Sequence, residues 1–420
     1  MRTLPPIPDW VNLEHQVAKI LTQQEIYGWY FNESQARSLE STLTRELEET
    51  TRILREQHPY VAGTLFTPKR NNRTQGYVNG AEFQKLKELN PTSRDHIAWI
   101  LQTHYGWTPS LTTLTGKAVI DETVLKDIGT DIALQFLRLL DLTKQLGMIS
   151  EGVNAWQKLC TKSRIHHHCS VATSTFRCAH RKPNLAQVPS DERFRSLFTA
   201  TPGYVMVGAD LAGIELRMLA HYLARYDGGR YTKILTTGDI HQTNANKIGI
   251  TRSQVKTVTY AFLYGAGDQR IGQAYDKQLS DEQKRIKGKE IRKAYVDAIP
   301  GLKELLEGVQ KAGERGYLYG LDHRRILVDS RHKSLNYLLQ GSSAILAKRW
   351  MVLANNILAK WPIHQLAFIH DELQYECKKE FVNDTMFTLE LTAAQAGEYY
   401  KMRCPVTAES KSGTTWADVH

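Results

Sequence analysis

The chain has 420 residues, more than one hydrophobic core comfortably organises, so two or three subdomains are expected. Its 54 Lys and Arg against 44 Asp and Glu, a formal charge of +10 with a pI near 9.2, favour a polyanionic partner, with nucleic acid the first candidate. Five cysteines without a CxxC pair exclude a disulfide framework, the opening MRTLPPIPDW lacks the apolar core of a signal peptide, and no run approaches the roughly 18 apolar residues of a membrane span. A cytosolic protein is expected.

Over residues 12–57 the apolar spacing is helical, with Asn32 and Ser34 marking a break between two helices. Residues 58–80 change character, with Pro59, Gly63, Pro68, the cluster Lys69, Arg70 and Arg73, and then Gly76. They read as an exposed basic loop, equally able to touch a phosphate backbone or to serve as a solvated connector. Helical signals return over 82–103, with a start at Ser93, and over 121–147. Alternation and turn residues predict strands and loops between 165 and 189. YVMVGA at 204–209 predicts a buried strand ending on the carboxylate of Asp210. Helices are expected over 216–347, and LAFIHDELQYEC at 366–377 reads as a hairpin with His370, Asp371 and Glu372 at its tip.

One helix organises this pattern. Thr251 stands three residues before Gln254, a capping-box spacing that opens the helix, and the breakers Gly265 and Gly267 end it. Arg252, Lys256, Tyr260 and Tyr264 recur every fourth residue and so share one stripe. Two cations beside two phenols suit a ligand with phosphates at one end and a flat group at the other, as in a nucleoside triphosphate. Taken alone, the stripe reads more simply as a solvated helix with buried tyrosines. Asp210 and Asp371 each follow a buried-strand pattern, and carboxylates at the ends of adjacent strands can share a pair of divalent cations for in-line phosphoryl displacement. Either aspartate alone would merely open a turn. Joined to the cationic helix, they supply the parts of nucleotidyl transfer.

These residues carry a family resemblance. Asp210-Leu-Ala-Gly-Ile-Glu215-Leu-Arg217 resembles motif A of family A DNA polymerases, Arg252-xxx-Lys256-xxx-Tyr260-xxx-Tyr264-Gly265 resembles motif B, and His370-Asp371-Glu372 resembles motif C, in the family's order and spacing. PNLAQVPS (183–190), NPTSRDH (90–96), GDIHQ (238–242), LNYLLQ (335–340) and the closing WADVH (416–420) are similar to the T-odd phage branch, over about residue 13 to the end. The resemblance implies an α+β right-hand polymerase fold with an antiparallel-sheet palm, helical fingers and a helical thumb. Its divisions would be an N-terminal segment and thumb at 1–150, with a shortened basic loop at 58–80, palm at 151–220, fingers at 221–332 and palm again at 333–420. It implies DNA synthesis from dNTPs on a primer-template, with Asp210, Asp371 and Lys256 catalytic. Two Mg2+ ions, replaceable by Mn2+, would bind Asp210, Asp371 and the Leu211 carbonyl. Arg252, Lys256 and His241 would hold the triphosphate, Tyr260 would face the sugar and admit dideoxy nucleotides, and Glu215 beside Tyr264 would crowd a ribose 2′ hydroxyl. Arg177, Asn336 and Gln340 would read the minor groove, His370 would lie by the primer end, and Glu372 would support the metal site.

Three departures qualify the resemblance. The family's Thr-Gly-Arg turn is Thr175-Phe176-Arg177 here, and a bulky ring in place of glycine predicts a different local backbone. The region 58–89 is far shorter than the insertion by which some phage relatives bind a thioredoxin processivity factor, so no such dependence is expected. Nothing before Leu13 could form a 3′ to 5′ exonuclease domain, so proofreading is expected on a separate polypeptide or replisome partner, or the enzyme is trimmed or exonuclease-free. A monomer is expected, in the host cytosol if phage-encoded. The rivals are a single-subunit RNA polymerase, which Glu215 argues against, and a catalytically silent DNA clamp, which has no chemical need of both aspartates.

Three further patterns mimic other sites. Gly238-Asp-Ile-His241 echoes a metallophosphoesterase motif but has Gln242 where glycine belongs. His166-His167-His168-Cys169, near Cys160 and Cys178, suggests zinc, yet consecutive strand residues face opposite sides and cannot all bind one ion. Gly265, Gly267 and Gly272 close a helix instead of opening one, so they are no dinucleotide fingerprint.

Overall fold

The apolar run ahead of Asp210 forms the strand Val205–Leu211 (β1), and the predicted hairpin forms Ile363–Ile369 (β2) and Glu372–Cys377 (β3). A fourth strand, Ala408–Gly413 (β4), completes an antiparallel sheet of order β2-β3-β1-β4. Every residue of β3 is buried, as a central strand covered on both faces requires. The computed structural model describes residues 7–276 and 279–420. Residues 1–6, where the signal-peptide reading begins, lie outside the described residues. Among the described residues no helix is long and apolar enough to cross a membrane, and the five cysteines are free thiols.

Contacts divide the chain into two compact units, residues 1–33 with 159–420, and residues 34–158. The expected N-terminal division at 1–150 is therefore split. The helix Asp9–Tyr27 (α1) packs with the sheet-bearing unit: Glu14 bonds Lys348 at 2.8 Å and Arg324 at 2.5 Å, and Tyr27 stacks on His364 at 4.1 Å while donating to buried Glu376. The break read at Asn32 and Ser34 falls at this boundary, but a helical period does not say which unit each helix joins.

Within the larger unit, Ser334–Leu358 (α5) runs through the core, buried on nearly every side, with its buried cations Lys348 and Arg349 paired to Glu14 and Asp9 of α1. Helices dominate residues 214–313, as expected, and a short hairpin, Tyr317–Tyr319 with Arg325–Leu327, interrupts the helical stretch that the periodicity predicted to run on to 347.

The smaller unit holds helices at Arg94–Tyr105, Glu122–Ile128 and Asp131–Leu146, the first two opened by the capping side chains of Ser93 and Asp121. Its basic stretch is not a plain loop. Tyr60–Phe66 pairs with Phe83–Glu88, so the helix expected from residue 82 begins only at Arg94. Cross-strand pairing with a β-branched and aromatic partner overrides the helical propensity of Lys, Leu and Glu. Phe66, Tyr77 and Phe83 gather at the loop end of the hairpin with centroids 5.0–6.0 Å apart, and the Lys85 ammonium lies over Phe66.

Candidate active site

The geometry begins with the sheet register. Asp210 closes β1 opposite Glu372 of β3 and Glu409 of β4, so three carboxylates stand abreast. Asp371 sits in the two-residue turn between β2 and β3, and its carbonyl accepts the Leu211 N–H at 3.0 Å. His370, in the same turn, takes φ 59° and keeps a buried Nδ1 with no hydrogen-bond partner among the described residues. Burial, then the charge of Asp210, pushes Asp371 from 3.8 up to about 7. Burial, then Glu372, pushes Asp210 up to about 6. Two aspartates that resist ionisation side by side, with hard oxygen donors and no cation of their own, fit a divalent ion such as Mg2+.

Glu372 behaves oppositely. Burial alone would raise it, but donors from Trp416 Nε1 (2.6 Å), Gln374 Nε2 (2.6 Å) and His420 Nδ1 (3.0 Å) outweigh that and hold it below the usual carboxylate range. Gly208 lets the closing turn Trp416–Val419 dock on β1, since a Cβ there would meet the Val419 carbonyl and the Gln374 amide at 2.6 Å. Trp416, His420, Gln374 and Glu409 are the site residues that sequence reasoning missed. The closing WADVH carried the only local signal, and register alone brings in Glu409.

Gly213, at φ 56°, turns the chain from β1 into the helix Ile214–Asp227 (α2) and brings Glu215 back toward Asp210. Glu215 accepts from both Arg177 and Tyr264, each at 3.0 Å. Phe176 takes φ 60°, so the turn keeps the left-handed backbone that its bulky residue was expected to forbid. Its ring packs on the core, and Arg324, fixed by Glu14 and Asp322, stacks on it at 4.9 Å. These contacts offset a backbone cost of roughly 1–2 kcal/mol.

The organising helix spans Arg252–Leu263 (α4) with the predicted capping box between Thr251 and Gln254. Arg252 is held by Asp239 at 2.6 Å, while Lys256 extends into solvent with no ion-pair partner among the described residues. Asp239 also caps the helix Ile240–Ile248 (α3), which accounts for the phosphoesterase-like motif as a helix start. His241 on α3 is buried, its Nδ1 has no hydrogen-bond partner among the described residues, and its ring centroid lies 6.3 Å from that of Tyr260. Burial, then Glu215 and Asp371, raises the Tyr260 phenol, so α4 faces the carboxylates. Asn336 donates to the Leu263 carbonyl at 2.8 Å and steadies the end of α4, and half-buried Gln340 lies one turn further along α5. Gly272 serves close helix packing, against the backbone of Lys284.

Carboxylates at strand ends, faced by a helix of cations and phenols, define a nucleotide-polymerising enzyme. Residues 69–418 match the profile of DNA polymerase family A. The DNA-directed DNA polymerases of Enterobacteria phage T3 and Escherichia phage T7 are each 30% identical, over 98% of this chain and 70% of theirs. The POL domain of Pol1 from M. smegmatis, solved in complex with DNA primer-template and dNTP, shares the fold at TM-score 0.78 and 20% identity over 97% of this chain and 70% of that one. The chain belongs to DNA polymerase family A, in the branch of the T3 and T7 enzymes, and is a DNA-directed DNA polymerase.

Proposed function

We propose that this polymerase extends a DNA primer from dNTPs in phage DNA replication, with Asp210, Asp371 and the Leu211 carbonyl holding two Mg2+ ions. The supporting observation is the meeting of Asp210 and Asp371 at the sheet end, both raised above ordinary carboxylates. Bound there, the ions would activate the primer hydroxyl and offset charge on the leaving phosphate. Arg252 would exchange Asp239 for the triphosphate, joined by Lys256 and by the buried Nδ1 of His241. Lys256 would also neutralise the departing pyrophosphate. Tyr260 would face the sugar, and Glu215, fixed by Arg177 and Tyr264, would fill the space of a ribose 2′ hydroxyl. Arg177, Asn336 and Gln340 would follow the minor groove of the primer duplex and His370 the primer end. Glu372 would set the metal site from behind. Primer extension with Asp371→Ala tests this reading: no product beyond background is expected with Mg2+ or Mn2+, and extension near the wild-type rate would refute it.

A further inference from the structure

The histidine run at 166–168 contributes one residue to a cluster that its own sequence could not reveal. His166, between two strands, and His168, which opens the second, both bond Glu25, at its carbonyl and its carboxylate, each at 2.8 Å. His167 and Cys169 come together, and the paired strand sets His180 directly opposite Cys169. His167, Cys169 and His180 are 0%, 9% and 7% exposed, with ligand atoms all within 4.8 Å of one another. Cys169 Sγ lies 3.7 Å from His167 Nδ1 and 3.2 Å from His180 Nδ1.

We propose that His167, Cys169 and His180 form a buried site for a soft divalent transition-metal ion, Zn2+ first, which pins the Arg177-bearing hairpin to the palm sheet. Ligands about 2.3 and 2.1 Å from a tetrahedral Zn2+ stand about 3.6 Å apart, and the two sulfur–nitrogen separations bracket that value. His167 Nε2 is spent on the Leu366 carbonyl of β2 at 3.0 Å, which leaves Nδ1 with its lone pair turned to the cluster. Gln24 donates to the sulfur at 3.6 Å, the contact a thiolate ligand needs behind it. Binding replaces the thiol proton by the metal and releases that proton to solvent. With His180 in its Nε2–H form, two imidazole lone pairs face the sulfur, and one thiol proton cannot serve both, whereas one cation serves all three groups. The site is distinct from the Asp210–Asp371 pair in its ligands, which favour a borderline-soft ion over Mg2+.

The full chain, stripped of metal, is titrated with Zn2+ against a chromophoric chelator and, separately, with Co2+ followed by absorption. One Zn2+ per chain and a thiolate-to-cobalt charge-transfer band are expected. Binding should weaken by at least about a hundredfold in Cys169→Ser and His180→Gln, and persist in the double variant Asp210→Asn, Asp371→Asn. Absence of the band in folded wild-type protein would overturn the site. So would zinc affinity that falls in the aspartate variant and not in the cluster variants, leaving a metal-free thiol–imidazole hydrogen bond. Because the cobalt spectrum is read on wild type, a cluster variant that fails to fold does not remove the test.

Discussion

At the scale of single residues, Asp371 carries the sharpest conflict between stability and chemistry. Its folded value of about 7 lies above the ordinary 3.8, so the native state binds that proton more tightly than the unfolded chain does. The stability it contributes is complete below about pH 4 and is lost as pH rises through about 7. Asp371→Asn should therefore raise the stability of the metal-free protein at pH 8, by on the order of 1–2 kcal/mol, and change it little at pH 4. Thermal denaturation in chelator at the two pH values measures this, and an equal effect at both would contradict the assigned conflict. Tyr260 offers a second reading at this scale. Its raised phenol stays protonated at the pH of synthesis and can donate to the nucleotide. Tyr260→Phe should lower the ratio of dideoxy to deoxy incorporation about tenfold or more, and an unchanged ratio would free Tyr260 of that role.

At the scale of elements, the turn at Phe176 separates what residue type predicts from what packing imposes. Glycine's absence predicts an altered backbone, yet φ remains at 60° because Arg324 and the core hold the ring. Phe176→Ala keeps the strain and loses the stacking, at about 1–2 kcal/mol. Phe176→Gly loses the stacking but relieves the strain, so it should be the milder change by about 1 kcal/mol. Urea unfolding of both variants decides the order, and a glycine variant less stable than the alanine variant would show that the strain is not there. The same contrast marks the smaller unit, where Phe83–Glu88 has helix-forming residues but pairs as a strand because Tyr60–Phe66 lies beside it. The capping box of α4 needed no such partner, since its signals lie three residues apart.

For the whole molecule, α1 is the element whose membership could not be read locally. It is pinned to the sheet-bearing unit through Glu14, the carboxylate partner of Lys348, which is 1% exposed. Glu14→Ala leaves that ammonium buried without its counter-charge and should cost about 3–5 kcal/mol, read as a lowered unfolding midpoint of that unit. A change under about 1 kcal/mol would mean that the pair is solvated. The sequence by itself determined the short-range features: the strand before Asp210, the hairpin tip at Asp371, and the stripe from Arg252 to Tyr264. Each rests on a period or cap contained within a few residues, so the local text carries it in full. Only the tertiary structure decided that Asp239 holds Arg252, that Trp416 and His420 hold Glu372, and that His180 meets His167 and Cys169. Those contacts depend on sheet register and helix docking between separate elements, and no spacing in the sequence encodes which residue of another element a polar group will find.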